Sequence, residues 1–262
     1  MVDLKGKVAL ITGGGKGIGR SLAEAFAAAG AAVAITGRTA SALGETVAAI
    51  RARGGAASAH PGDVADPAAV DRHVAAITKQ HGAINILINN AGVEGPTAPV
   101  HQVDVAAWDE VLAIKVRGAF LMTRAVAPQM IARGSGHILY VSALGGGLRA
   151  YPLRAPYAVS NAAVLALMQT VAAELGPHGI RVNAITPGPV KGERLERVFQ
   201  KRAEQLGATP EAVEQGLAGK MLNRRLVDAG DIAQTALFLC SPAADSIVGQ
   251  SINMTGGLET LF

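Results

Sequence analysis

Apolar residues along this chain fall into two alternating patterns. Short continuous blocks, "KVALIT", "AAVAIT", "AASAHPGDV", "INILINNAG", "GHILYVSA", "IRVNAI" and "SINMT", run into glycine, asparagine or serine at their ends. Between them, apolar positions recur at helical spacing in "GIGRSLAEAFAAAG", 41–53, 67–81, 104–133, 157–175 and 230–239. Asp66-Pro67 supplies a cap and a first-turn proline for the third of these, and Pro128 predicts a bend in the long fourth. A block that is apolar at every position reads as a strand buried on both faces. Strands of this kind alternating with helices define an α/β fold, a single doubly wound parallel sheet with helices on both faces. Ligands in such sheets bind at the carboxyl ends of the strands.

Composition narrows the picture. Half of the 262 residues are hydrophobic, enough for a sizeable core, and no linker interrupts the pattern, so residues 1–262 read as one Rossmann-type domain. A charged insertion at 191–226 predicts two short helices, placed where a lid over a substrate would sit. No apolar run reaches the ~18 residues of a membrane span, and the first residues read as a folded strand rather than a secretory leader. The single cysteine, Cys240, fits a reducing, cytoplasmic setting. Net charge is +4 with the charges scattered, and aromatics make up 3%, which argues against a nucleic-acid surface. The six histidines have no metal-ligand spacing and no G-x-S-x-G elbow occurs, so neither a metal nor a serine hydrolase is expected.

"TGGGKGIG" links the first strand to the first helix with the spacing Gly13-x-x-x-Gly17-x-Gly19. Glycines there let backbone N–H groups approach a pyrophosphate at a helix N-terminus. The second strand ends in "ITGRT", with no carboxylate for a ribose 2′-hydroxyl. Lys16 and Arg38 suit a 2′-phosphate instead, which predicts NADP(H), although both could be plain surface cations.

Taken with "NNAG" at 89–92, Asp63-Val64, Ser142, Tyr157, "RVNAITPG" at 181–188 and "MTGG" near the end, this loop resembles the short-chain dehydrogenase/reductase family over nearly the whole chain. The resemblance implies cofactor contacts from Gly13, Gly15, Lys16, Gly17, Ile18 and Gly19. It assigns Asp63 and Val64 to the adenine, Asn90, Ala91 and Gly92 to the adenosine side, and Pro187, Gly188 and Val190 to the nicotinamide. It also implies hydride transfer between a nicotinamide and a carbonyl or alcohol carbon, with Tyr157 as acid/base and also against the cofactor, and Ser142 bonding the same oxygen. A free phenol titrates near ~10, so it needs a neighbouring cation. The family's lysine four residues after the tyrosine is here Asn161, and Lys115 stands in "VLAIKVRGAFL" where the family has asparagine. This exchange is similar to that in polyketide synthase ketoreductase domains, with Lys115 lowering the phenol pKa and Asn161 facing a ribose hydroxyl or water. Lys191 replaces a threonine often found after "PGPV".

The substrate expected is a small carbonyl or alcohol compound of unnamed identity. Arg149 and Arg154 could clamp an anionic group or serve only as surface or interface arginines. The family implies a homo-oligomer, tetramer or dimer. Two other readings share the scaffold: a non-redox dehydratase or epimerase, and a catalytically silent NADP(H)-binding sensor.

Overall fold

The computed structural model describes residues 2–146 and 150–258. Its strands are β1 (Val8–Thr12), β2 (Ala32–Gly37), β3 (Ala57–Pro61), β4 (Ile86–Asn89), β5 (Gly136–Val141), β6 (Ile180–Pro187) and β7 (Ser251–Met254). They form one parallel sheet in the order β3-β2-β1-β4-β5-β6-β7. The chain moves outward from β1 to β3 and then returns to β4 on the other side of β1. That reversal opens a crevice at the carboxyl ends of β1 and β4, and β5 and β6 end beside it.

Alternate residues of each strand enter two cores. On one face Ile11, Ile35, Ile88, Val141 and Ile185 pack against α1 (Gly17–Ala28), α2 (Ala40–Ala52) and α9 (Ala229–Leu239) through Leu22, Phe26, Leu43, Ile50 and Ile232. On the other, Leu10, Leu87, Ile138, Tyr140 and Val182 meet α3 (Pro67–His81), α5 (Gly118–Arg133) and α6 (Ala155–Leu175) through Val70, Ile77, Met122, Met130, Val164 and Met168. Burial on both faces is why the inner strand blocks are so apolar, while the edge strands β3 and β7 are partly exposed and carry polar residues. Helix α3 starts at the expected place because the Asp66 side chain accepts from Ala68 N, with Pro67 in the first turn.

Three expectations change. The stretch 104–133 is not one helix bent at its proline. It comprises α4 (Val105–Leu112), a π-helical turn at Ala113–Arg117, and α5, which continues through the exposed Pro128. The wider turn brings the adjacent Ile114 and Lys115 both into the interior. Secondly, residues 155–178, α6 with the turn after it, are apolar enough by length and composition to cross a membrane, with a mean hydropathy of 1.4. Polar residues such as Asn161 and Glu174 break the continuous run without lowering the average enough. Here one side of that helix covers the sheet through Val164, Met168, Val171 and Leu175. Thirdly, the insertion does form two helices, α7 (Glu193–Leu206) and α8 (Pro210–Ala218), but it is also part of the core, burying Phe199, Ala203, Met221 and Leu226. Its base is held where Lys191 N donates to Val227 O and Val227 N to Pro189 O, both at 2.9 Å.

Candidate active site

At the crevice, the glycine loop and the "NNAG" loop are tied together by Thr12, which the sequence reading passed over. Its hydroxyl donates to Ile88 O (3.4 Å) and accepts from Asn90 N (3.0 Å) and Ala91 N (2.9 Å). Asn90 Nδ2 returns to Thr12 O (3.0 Å) and Gly13 O (3.3 Å). A threonine closing the first strand at a chain reversal was the available signal. Gly13 takes a positive φ of 69° and packs against Asn90. A Cβ on Gly19 would fall 2.0 Å from Gly13 O.

Helix α1 begins after Lys16 with no side-chain cap and no acidic residue in its first turn. Its N-terminal N–H groups and dipole are therefore available to an anion, and the cradle fits a dinucleotide pyrophosphate. Gly15 lies in the loop, Gly17 and the half-buried Ile18 open α1, and Lys16 is exposed. Asp63 Oδ1 accepts from Ala65 N at 2.9 Å, and the buried Val64 lies against α5 at Gly118, where a Cβ would approach within 2.6 Å. Arg38, just past β2, is half-exposed and pairs with Glu110 of α4 at 2.9 Å. Gly92 borders Lys115, whose Cδ would sit 3.2 Å from a Cβ there. Pro187 O accepts from Leu144 N at 2.9 Å, and Gly188 packs against the Thr255 backbone. Val190 bridges to Val227.

This cradle makes a direct prediction. Gly19→Ala forces the loop off Gly13, and overpacking of this kind costs about 1–3 kcal/mol. We expect a lowered melting temperature and at least a tenfold loss of dinucleotide affinity. Gly44→Ala, on α2 with open space around it, should melt at or above wild type, because alanine is the better helix former.

The reacting groups lie beyond the cradle. Ser142 follows β5 and is buried; its Oγ donates to Asn161 O at 3.0 Å. Asn161 sits one turn after Tyr157 on α6 and donates from Nδ2 to Tyr157 O at 2.8 Å. Lys115 donates from Nζ to Val141 O, the carbonyl preceding Ser142, at 2.5 Å. Thus Lys115, Ser142 and Asn161 cluster at the end of β5 and the start of α6, each held by a backbone carbonyl, those of Val141, Asn161 and Tyr157. Burial, with Arg194 adding like charge, pulls the Lys115 ammonium down to about 8.

The roles expected of two side chains differ in this state. Asn161 is turned back onto its own helix rather than outward. Burial pushes the Tyr157 phenol above its usual range, and the opposing cations are Arg194 and Arg154, not Lys115. Arg154, at the start of α6, stacks within 5.3 Å of the Tyr157 ring centre. Arg149 lies outside the described residues. Among the described residues no group of histidine, cysteine, aspartate and glutamate could hold a metal ion.

A glycine cradle at a sheet reversal, with a half-buried tyrosine and a buried serine and lysine beyond it, is the layout of an oxidoreductase that works with a nicotinamide dinucleotide. A family model described as enoyl-(acyl carrier protein) reductase matches residues 13–259. The chain is 39% identical to the sorbitol dehydrogenase of Cereibacter sphaeroides over 97% of this chain and 98% of that one. It superposes on NAD+-bound xylitol dehydrogenase with a TM-score of 0.90 and 33% identity, covering 97% and 99% of the two chains. For the L-sorbose reductase of Gluconobacter frateurii, complexed with NADPH and L-sorbose, the TM-score is 0.93 and the identity 28%, over 98% of each chain. The chain belongs to the short-chain dehydrogenase/reductase family and is an oxidoreductase of that type.

Proposed function

We propose that this protein is an NADP(H)-dependent enzyme interconverting a ketone and a secondary alcohol, with a polyhydroxylated compound as substrate. The observation that carries the reading is the cluster of Lys115, Ser142 and Asn161 at the ends of β5 and α6, with Tyr157 one turn before Asn161, beside an uncapped glycine cradle. The cofactor supplies the hydride. Tyr157 gives its phenolic proton to the ketone oxygen, and Ser142 turns from Asn161 O to donate to the same oxygen as negative charge develops there. Lys115 supplies the positive charge that keeps the phenolate accessible, in place of the lysine the family carries four residues after its tyrosine. Asn161 exchanges its bond to Tyr157 O for a water or ribose hydroxyl. The polyhydroxylated class follows from relatives that act on sorbitol, xylitol and L-sorbose.

NADP(H) is favoured by the absence of an acid at the end of β2 and by Arg38 and Lys16, both exposed enough to meet a 2′-phosphate. Arg38 would leave Glu110 to do so. A bond between charged groups contributes about 1.5–3 kcal/mol. Arg38→Ala should therefore lower kcat/KM for NADPH about 10- to 100-fold and leave that for NADH nearly unchanged. Equal losses with both cofactors would remove Arg38 from phosphate recognition. Self-association through the outer faces of α5 and α6 belongs to the same reading. It is supported by the exposed Phe120 and Val159 and by an apolar groove formed by Leu112, Ala113, Val116 and Ala163. A cytoplasmic setting is supported by Cys240, which is buried as a free thiol.

A further inference from the structure

Around Tyr157 lies a cluster with no task in the chemistry above. Arg154 is mostly buried; it donates from Nη1 to Thr97 Oγ1 (3.2 Å) and from Nη2 to Glu94 O (3.1 Å). The Glu94 carboxylate lies 3.8 Å from the same Nη2. Its Nε is buried without a hydrogen-bond partner among the described residues. From the opposite side comes Arg194, in the first turn of α7. It ion-pairs with Glu94 Oε1 and stands 5.7 Å from the Tyr157 ring centre, where its charge favours the phenolate.

Two guanidiniums thus converge on one carboxylate directly at the acid/base. A buried guanidinium N–H left unpaired is unfavourable, and a planar fork recognises a carboxylate better than a hydroxyl. With Lys115 also buried nearby, three cations face a single anion, so the region carries excess positive charge. Glu94 belongs to the loop that follows the cofactor-binding "NNAG" segment, and Arg194 to the insertion that closes over the crevice. Their contact therefore joins the two sides of the site's entrance.

Resting on the ketone-reductase reading, we propose that the natural substrate carries a carboxylate, held by Arg194 and Arg154 in the position Glu94 now fills. The substrate class is a hydroxylated keto acid and its hydroxy-acid partner. In the described state Glu94 stands in for that carboxylate, while Arg194, held beside the Tyr157 ring, occupies the approach of the ketone oxygen. A substrate carboxylate that draws Arg194 away frees the phenol for the ketone. A neutral ketose lacks the charge to do this.

The test uses two pairs of compounds that each differ at one terminal carbon, carboxylate against hydroxymethyl. Calorimetric titration with D-gluconate and D-glucitol reads binding without turnover. The acid should bind at least tenfold tighter, and Arg194→Met should erase the difference. NADPH oxidation with 5-keto-D-gluconate and L-sorbose should show a kcat/KM ratio of at least tenfold favouring the acid, and Arg194→Met should lower that ratio by tenfold or more. A general disturbance of Tyr157 would depress both ketones together and leave the ratio intact. Equal binding of acid and polyol by wild type, or a ratio unmoved in Arg194→Met, overturns the proposal. Absence of turnover with both ketones counts against the reductase reading alone, because the titration still decides the carboxylate site.

Discussion

Tyr157→Phe should reduce ketone turnover by a factor of about 10²–10⁴, the range that a positioned general acid contributes. Dinucleotide affinity should stay within about twofold of wild type. The prediction separates the phenol's proton from its ring. Phenylalanine keeps the ring that stacks beneath Arg154 and lies 5.9 Å from the Tyr151 ring, so packing around α6 is retained. The glycine cradle, built from β1, β4 and α1, is untouched. What disappears is the hydroxyl, whose ionised form Arg194 favours. Steady-state turnover, with cofactor titration by fluorescence, measures both quantities. Intact turnover in this variant would move the proton donor elsewhere, and a parallel loss of cofactor binding would make Tyr157 a structural residue.

Lys115→Met should move activity and stability in opposite directions. The ammonium is buried with one backbone acceptor among the described residues, and its pKa is drawn from 10.5 to about 8. Below pH 8 the proton is bound in both the folded and the unfolded chain, and burial of the charge disfavours folding in full. Between pH 8 and 10.5 only the unfolded chain holds the proton, so wild-type stability rises with pH through that window. At 1.36 kcal/mol per pH unit the penalty is roughly 3 kcal/mol. The methionine variant should therefore melt several degrees above wild type at pH 7, with the gap closing toward pH 10.5. Turnover should fall about 10- to 1,000-fold, since a neighbouring cation moves the pKa of an acid by about 1–3 units. Such a charge is kept for function at the expense of stability. If the variant is less stable at pH 7, Lys115 serves as a structural anchor for β5 instead.

Much of this architecture is legible in the sequence because parallel strands must be apolar on both faces and helices on one. That contrast locates the five inner strands, the partly exposed edge strands β3 and β7 follow from the alternation with helices, and Asp66-Pro67 marks the start of α3 through the chemistry of its cap. The glycine loop is legible because its spacing is tied to a strand end and a helix start, whereas Ser142 and Tyr157 stand out only through the resemblance to the family. The π turn is not. One extra residue in a turn barely alters a helical apolar pattern, whereas Pro128 is a conspicuous letter on an exposed side of an unbroken helix. Thr12 acquires its role only when β4 folds in beside β1. The Glu94–Arg194 pair joins residues 100 positions apart through an insertion whose docking is set by Phe199, Ala203 and Met221, and no local pattern encodes that contact.

The central claim is that Lys115 does for Tyr157 what the family's lysine does from position 161. The most direct measurement is NADPH-dependent ketone turnover across a double-mutant cycle of Lys115→Asn, Asn161→Lys and the two combined. The account predicts that Lys115→Asn loses at least tenfold and that the combined exchange, with the cation returned to α6, recovers most of it. A combined variant no more active than Lys115→Asn would contradict the claim, leaving two independent residues where we describe one relocated charge.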